Sequence, residues 1–435
     1  MTAPSGLSRG QLAGLSLPSL AFAGYDVARK SYLPLFLNRD FGLDLGVVAW
    51  IVLALGCLSI ALEAGFGLIC DRTPVSWGLR RFWLTVGTGL LLAAGSVTLM
   101  GVAWGNPALM LAGFACVIAA WIVCNVTHGG WALEVSRGAM ERARVFGNRA
   151  LAGLAGITVF TAFAALVEGG TLPFTRIPLI ALLTASVILA TVTHALLLWQ
   201  LPDPDRSRGH AERSSLLAPV RLLVADREGW RLAALFAVVG GHAGVIGAGI
   251  LFVVEFGLGL PGWGSTVLSV ESASCAAGIL MTTAFAVGRF APLQILRWVF
   301  LANCLTAVAL LAMPPQQPAA VLTWSAIAGL VAGVDFMVLR IELGRNLDKA
   351  AKPTPQPGPG ASLRYAAFHL PFNICAALSA AALLTAFRLA GIVAGASQAT
   401  AQPSYKLISI FVASALIPGI FGLLVLREKT QETEN

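Results

Sequence analysis

Several ionisable residues stand inside runs of sequence that are otherwise apolar, and their types and spacing suggest what each can do. Asp26, Arg29 and Lys30 lie at i, i+3 and i+4, so they share one face of a helix. Two readings are open for them. They form an internal ion pair with Lys30 reaching toward the interface, or they present one acid and two cations to a polar solute. Glu63 has no cation on its own helix, and a lone carboxylate at that depth is protonated or paired across helices. His128, His242 and His369 are candidate proton carriers, and equally candidates for hydrogen bonds to a neighbouring backbone or side chain. Trp50, Trp121 and Trp131 can stack on a sugar face or serve as interfacial and packing residues. No nucleophile and base, metal-ligand cluster or phosphate-binding glycine loop has the spacing its chemistry needs, so neither an enzyme nor a cofactor is expected.

The elements that hold these residues follow from composition. In 435 residues, 57% are hydrophobic and 11% charged, and the mean hydropathy is +0.80. A water-soluble domain is excluded by that balance. Runs of ~20 apolar residues cross ~30 Å of hydrocarbon as helices, and twelve are read at 12–37, 44–70, 84–104, 107–132, 147–167, 177–200, 229–255, 263–288, 293–313, 318–343, 362–388 and 405–427. The runs are continuous, whereas a membrane barrel needs short alternating segments. The expectation is an all-α integral membrane protein in the lipid bilayer. The N-terminal stretch MTAPSGLSRGQ leads into no cleavage site of small residues, so the first span is expected to stay. All 7 cysteines fall inside apolar runs without paired or metal-like spacing.

All but six of the 29 Lys and Arg residues lie at the N-terminus, in the even-to-odd loops or at the C-terminus; the exceptions are Arg29, Lys30, Arg39, Arg176, Arg388 and Lys406. The positive-inside rule then places both termini in the cytoplasm, with a bacterial inner membrane expected. The net charge of +8 is thus a signal of topology, and nucleic acid is not an expected partner. The longest polar break divides the chain into residues 1–201, a cytoplasmic middle loop at 202–228 and residues 229–435. A second stretch, with KPTPQPGPG, reads as a flexible cytoplasmic loop.

The segment from Glu63 to Trp83, EAGFGLICDRTPVSWGLRRFW, is a tight polar hinge between two apolar runs. Its spacing, with Asp71, Arg72, Gly78, Arg80 and Arg81, resembles the loop after the second helix of the major facilitator superfamily. Its WGLRRFW ending is similar to the glycoside-pentoside-hexuronide:cation symporters, the family of the melibiose carrier. NVTHGGWALEVSRGAMERARVFGNR resembles that family's fourth-span ending, through Asn125, His128, Gly129, Glu134, Glu141, Arg142 and Arg149. Asp335 stands on the first aspartate of its tenth-span pattern and Asn373 on its eleventh-span asparagine.

The resemblance implies the major facilitator fold, twelve transmembrane helices in two six-helix bundles, with spans one, two, four, five, seven, eight, ten and eleven lining a central cavity. The polar residues fall on those spans: Asp26, Arg29 and Lys30 on the first, Glu63 on the second, Asn125, His128 and Glu134 on the fourth, Asn148 and Arg149 on the fifth, His242 on the seventh, Glu271 on the eighth, Asp335 on the tenth, His369 and Asn373 on the eleventh. The expected function is a secondary transporter moving a small polar solute, such as a sugar, glycoside, uronate or organic acid, by alternating access as a monomer. The alternative is a fold relative that has lost transport and acts in membrane assembly or sensing. Expected solute ligands are Asp26, Arg29, Asn125, His128, His242 and Asn373. The expected inner gate comprises Asp71, Arg72, Arg80, Arg81, Glu134, Arg142, Arg149 and Asp335.

The family's sodium site does not carry over. Ser59 and Glu63 stand for its paired second-span acids, Asn125 for its fourth-span acid and Ile374 for its eleventh-span lysine. One carboxylate with Ser59, Thr127 and Asn125 is a poor cage for a hard cation, whereas a proton needs only one carboxylate. Glu63, with Ser59, is therefore the expected coupling site and a proton the expected coupling ion.

Overall fold

The computed structural model describes residues 7–73, 78–136, 138–168, 176–201, 227–350, 361–392 and 403–427, with backbone alone at 64, 68, 71, 72, 138–140, 142, 143, 176–178, 344–350, 361–366 and 368. Helix α1 comprises Arg9–Val27, a π-helical turn Ala28–Tyr32, and Leu33–Arg39. There follow α2 (Leu45–Arg72), α3 (Leu79–Ala103), α4 (Pro107–Val135), α5 (Gly138–Glu168) and α6 (Arg176–Gln200). The second half has α7 (Arg227–Phe252 with a π-helical turn Val253–Gly257), α8 (Gly264–Phe285), α9 (Pro292–Ala309), α10 (Pro318–Val331 and Val334–Ala350), α11 (Ala361–Leu389) and α12 (Tyr405–Arg427). Eleven helices among the described residues are long and apolar enough to cross a membrane. The exception is α1, whose hydropathy is diluted by Asp26, Arg29 and Lys30, and whose backbone widens into the π turn that carries both cations.

Caps start these helices where the sequence provides them. Ser8 and Gln11 form a reciprocal capping box on α1, Asp44 accepts from Gly46 N on α2, and Asn106 accepts from Leu109 N on α4, whose first residue is Pro107. The structure departs from the sequence reading most plainly in α3, α5 and α10. Helix α3 begins at Leu79 rather than 84, because Gly78, at φ 106°, turns the chain straight into helix. Helix α5 begins at Gly138 rather than 147. Arg80, Arg81 and the charges from Glu141 to Arg144 are therefore helical rather than in loops. Helix α10 is broken after Val331 and resumes at Val334; Gly333 has φ +80°, and a Cβ there would collide with Cys275 Sγ.

The helices pack as two six-helix bundles. In the first, α1 lies against α5 and α6, and α3 against α4; in the second, α7 lies against α11, α8 against α10, and α9 against α12. The main interfaces between bundles are α2 with α11 and α5 with α8. Lipid tails are as apolar as Leu, so close approach rests on small residues and interhelical hydrogen bonds. Gly240 and Gly244 of α7, four apart, seat the carbonyl oxygens of Phe372 and Ala376, where any Cβ would collide.

Helices α1 and α7 both begin at one end of the molecule, called proximal, and run to the distal end. Among the described residues, the polar ties between bundles concentrate distally. Arg39 donates to both oxygens of Glu255, at 3.2 and 3.0 Å; Tyr32 donates to Ser265 and Ser265 to Glu168, each at 2.8 Å; and the exposed Arg388 meets Asp44 at 2.9 Å. Along α5 and α8 the pairs Thr161 with Ser269 and Thr158 with Ser272, each 2.9 Å apart, continue this ladder of hydroxyls inward.

Candidate functional site

The π turn of α1 brings Arg29 and Lys30 onto Asp26. Arg29 Nη2 lies 3.0 Å from Oδ1 and Lys30 Nζ 2.6 Å from Oδ2, and Lys30 also lies 5.5 Å from the ring centre of Phe372 across the bundle boundary. Both readings of the triad meet here, since the internal ion pair itself forms the wall of a cavity between the bundles. That cavity has two lobes sharing Asp26 and Lys30. The first, of about 260 Å³, is lined from both bundles by Arg29, Lys30, Arg149 and Arg340 and by the acids Asp26 and Glu63. Distal to Lys30 the path narrows to a passage of about 40 Å³ lined by Val52, Leu55, Gly244 and Ala248.

Glu63 is 2% exposed and accepts a 2.6 Å hydrogen bond from Asn373 Nδ2 of α11. Ser59, one turn earlier on α2, lines the same lobe and the narrow passage. Asn125 lines the lobe from α4, beside Trp121, which packs edge-on to Phe22 with ring centres 5.9 Å apart. Of the other tryptophans, Trp131 is fully buried and Trp50 is exposed. His369 also lines the lobe, 6.0 Å from the ring of Phe336.

His128 does not line the cavity. Its ring is fully buried inside the first bundle, where Arg149 Nη2 donates to Nδ1 at 3.0 Å and Nε2 lies 2.7 Å from the Leu15 carbonyl. An arginine can only donate, so Nδ1 accepts and Nε2 carries the hydrogen. The histidine thus orients Arg149, whose guanidinium faces the cavity and also reaches Ser19.

Of the expected gate residues, Arg80 and Glu134 pair directly among the described contacts. Arg80, fully buried, grips Glu134 through Nε at 3.0 Å and Nη2 at 2.6 Å, and its Nη1 lies 3.2 Å from Cys70 Sγ. Arg81 donates to the Leu201 carbonyl at 3.0 Å. These contacts tie helix ends within the first bundle. Asp335 belongs to the other bundle, at the start of the second half of α10. The side chains of Asp71, Arg72 and Arg142 lie outside the described residues.

The second lobe, about 360 Å³, extends into the second bundle and is mostly apolar, with Trp324, Phe336, Phe372 and Phe411 in its wall. His242, Glu271 and Asp335 open onto it. His242 therefore belongs to the same cavity as Asp26 but to its other chamber. All seven cysteines are free, and among the described residues no cluster of His, Cys, Asp or Glu can hold a metal ion.

The sequence matches the family described as MFS/sugar transport protein over residues 14–427. The chain belongs to that family. It is an integral membrane secondary transporter of the major facilitator superfamily and not an enzyme, as the hinge from Asp71 to Arg81 led one to expect. No curated protein matches the sequence. Among solved structures, the nucleoside transporter NupG is similar at 15% identity and TM-score 0.66, covering 95% of this chain and 98% of NupG. A bacterial homologue of the iron transporter ferroportin in the outward-facing state gives 15% and 0.62, covering 95% and 99%. The E. coli fucose:proton symporter FucP gives 13% and 0.58, covering 95% and 99%. Identities this low carry the fold and nothing finer.

Arg340, Phe336 and Phe372 were not singled out in the sequence. Arg340 lies near the end of its span, where a basic residue reads as topology, yet its guanidinium stacks 4.2 Å from the ring centre of Phe336 and 5.9 Å from that of Phe146 across the bundles.

Proposed function

We propose that this transporter carries a small acidic solute, a uronate or an organic acid, by alternating access, and that a proton bound at Glu63 drives it. The observation that carries the reading is the wall of the first lobe. Four cations, Arg29, Lys30, Arg149 and Arg340, face two carboxylates, Asp26 and Glu63, in a chamber reached from both bundles. Cations outnumber acids four to two in that wall, and such a wall favours an anion over a neutral sugar. Arginine forks suit a carboxylate in particular, and Trp121, Phe22, Phe336 and Phe372 offer flat faces to a sugar ring. Glu63 spans the boundary through Asn373, so separation of α2 from α11 would change its surroundings at each turnover. FucP, a fold relative, is by its name a symporter of a sugar with a proton.

In this reading residues 1–201 and 229–435 are the rocking bundles, 202–228 joins them in the cytoplasm, and both termini are cytoplasmic. The proximal end is then the inner one, and the distal ties hold the outer side shut. The test is uptake into proteoliposomes of labelled glucuronate against labelled glucose, with sodium absent and the pH gradient set in either direction. Glucuronate accumulation that follows the imposed proton gradient is the expected result. Preference for glucose, or indifference to the gradient, would refute the acidic solute or the proton respectively.

A further inference from the structure

The second lobe lies beyond what carriage of an acidic solute requires. Glu271, Asp335 and His242 open onto a mostly apolar chamber. Glu271 Oε2 is buried without a hydrogen-bond partner, as is His242 Nδ1. Asp335, 4% exposed, takes one hydrogen bond, from Phe336 N at 2.6 Å. Both carboxylates line the lobe together with Cys275 of α8. Asn303 of α9 is 6% exposed, lines the lobe, and makes no side-chain hydrogen bond among the described residues. A burial of that degree with an unmatched amide is costly unless something occupies the chamber.

The countercharge is missing too. Among the residues that line this lobe Lys30 is the one Lys or Arg, and its ammonium is held by Asp26 at 2.6 Å. The break in α10 at Gly333 is what delivers Asp335 here, at the start of a half-helix opening onto the chamber. A bare inorganic cation needs an oxygen cage, and the aromatic wall supplies none. A proton alone has no use for 360 Å³ of mostly apolar space. A chamber of that size, apolar with a few convergent polar groups, has the form of an organic-ligand pocket.

We infer that this lobe binds a protonated organic amine, its ammonium between Glu271, Asp335 and the Asn303 amide oxygen and its apolar body against Trp324 and Phe411. An ammonium donates three hydrogen bonds and carries the charge that the two acids lack. The aromatic rings add a favourable face to the cation. The site is separate from the basic lobe, and its occupancy is read by binding rather than transport, so its failure would leave the acidic-solute reading standing.

The experiment is calorimetric titration of the full chain in lipid nanodiscs, with empty nanodiscs subtracted, using phenethylamine, 2-phenylethanol and 3-phenylpropanoate as probes of one shape and three charges. Phenethylamine is expected to bind at least tenfold more tightly than the other two, and Glu271→Gln to remove that preference. Ala328→Met narrows the lobe without altering its charges, and it is expected to weaken phenethylamine binding at least tenfold; it also keeps the test decisive if Glu271→Gln does not fold. Equal affinity for the three probes would overturn the inference. So would undiminished phenethylamine affinity in Ala328→Met, or an affinity that changes with Arg340→Gln but not with Glu271→Gln, which would put the amine in the basic lobe.

Discussion

Asn373 Nδ2 donates a 2.6 Å hydrogen bond to Glu63 Oε2 across the boundary between the two bundles. It joins the buried acid of α2 to the helix that must leave it when the cavity changes sides. Protonation of Glu63 and movement of α11 are therefore linked, because each changes what the other is bonded to. Arg29, engaged with Asp26, lines the same lobe as Glu63.

The first prediction follows from that bond. Glu63→Gln keeps the shape and the hydrogen bond to residue 373 but removes the ionisable group. Concentrative uptake driven by an imposed pH gradient, acid on the side of the solute, should fall at least tenfold, since the gradient then has nothing to act on. Exchange of labelled for unlabelled solute at equal concentration should persist. A Gln variant that still concentrates solute under the gradient would remove Glu63 as the coupling group.

The second concerns Arg340. Its planar charge faces the basic lobe beside Phe336, and hydrogen bonds to charged groups are worth about 1.5–3 kcal/mol. Arg340→Gln should therefore weaken binding of the acidic solute by roughly tenfold or more, measured by titration, with the protein still monodisperse. Arg340→Lys should recover part of the loss, as a point charge replaces a fork. Unchanged affinity in Arg340→Gln would exclude this side chain from the solute's anionic end.

Much of this site was legible because a charge has no ordinary place inside an apolar run. Asp26, Lys30, Glu63 and Asn373 stood out on that ground, and all line the cavity. What the sequence did not show was rotation about the helix axis. Helix α4 is apolar on every side, so nothing told whether His128 faced the cavity with Asn125 or the bundle interior with Leu15 and Arg149. The ladder of Thr158, Thr161, Ser269 and Ser272 was hidden for another reason. Membrane serines and threonines commonly bond their own helix, as Thr158 also does to the Leu154 carbonyl, so their sequence positions mark no partner. The break in α10 had a visible glycine, but many of the 46 glycines seat close helix contacts instead.

The third prediction addresses stability. Arg80 is fully buried and holds Glu134 with two parallel hydrogen bonds, so Glu134→Gln takes a carboxylate away from a buried guanidinium. Breaking a buried pair in this way costs about 3–5 kcal/mol. Glu134→Gln should lower the thermal midpoint of the detergent-purified protein by several degrees. Arg80→Lys should not spare it, because an ammonium cannot reproduce the fork. A midpoint within one degree of wild type, about the scatter of such a measurement, in both variants would mean that the pair contributes nothing to the bundle.

The last prediction concerns distal closure. Arg39 and Glu255 have side chains only 9% and 6% exposed, whereas Arg388 and Asp44, at the same end, are 57% and 51% exposed. Both pairs cross between bundles, so geometry alone does not rank them; burial does. Arg39→Gln leaves the Glu255 carboxylate uncompensated while the distal end is shut, and opening lets water reach it. A stranded buried charge costs about 3–5 kcal/mol, and each 1.4 kcal/mol is tenfold in an equilibrium. The population should therefore move toward the distal-open state by at least tenfold. The exposed pair is already hydrated, so Arg388→Gln should change little. The readout is the rate at which a membrane-impermeant thiol reagent labels Ala248→Cys, in the narrow passage distal to Lys30, with the seven native cysteines replaced. Arg39→Gln should raise that rate at least tenfold, and the double variant Arg39→Gln, Glu255→Gln should bring it back, since no charge is then stranded. Equal rates in Arg39→Gln and Arg388→Gln would show that the buried pair does not hold the distal end shut.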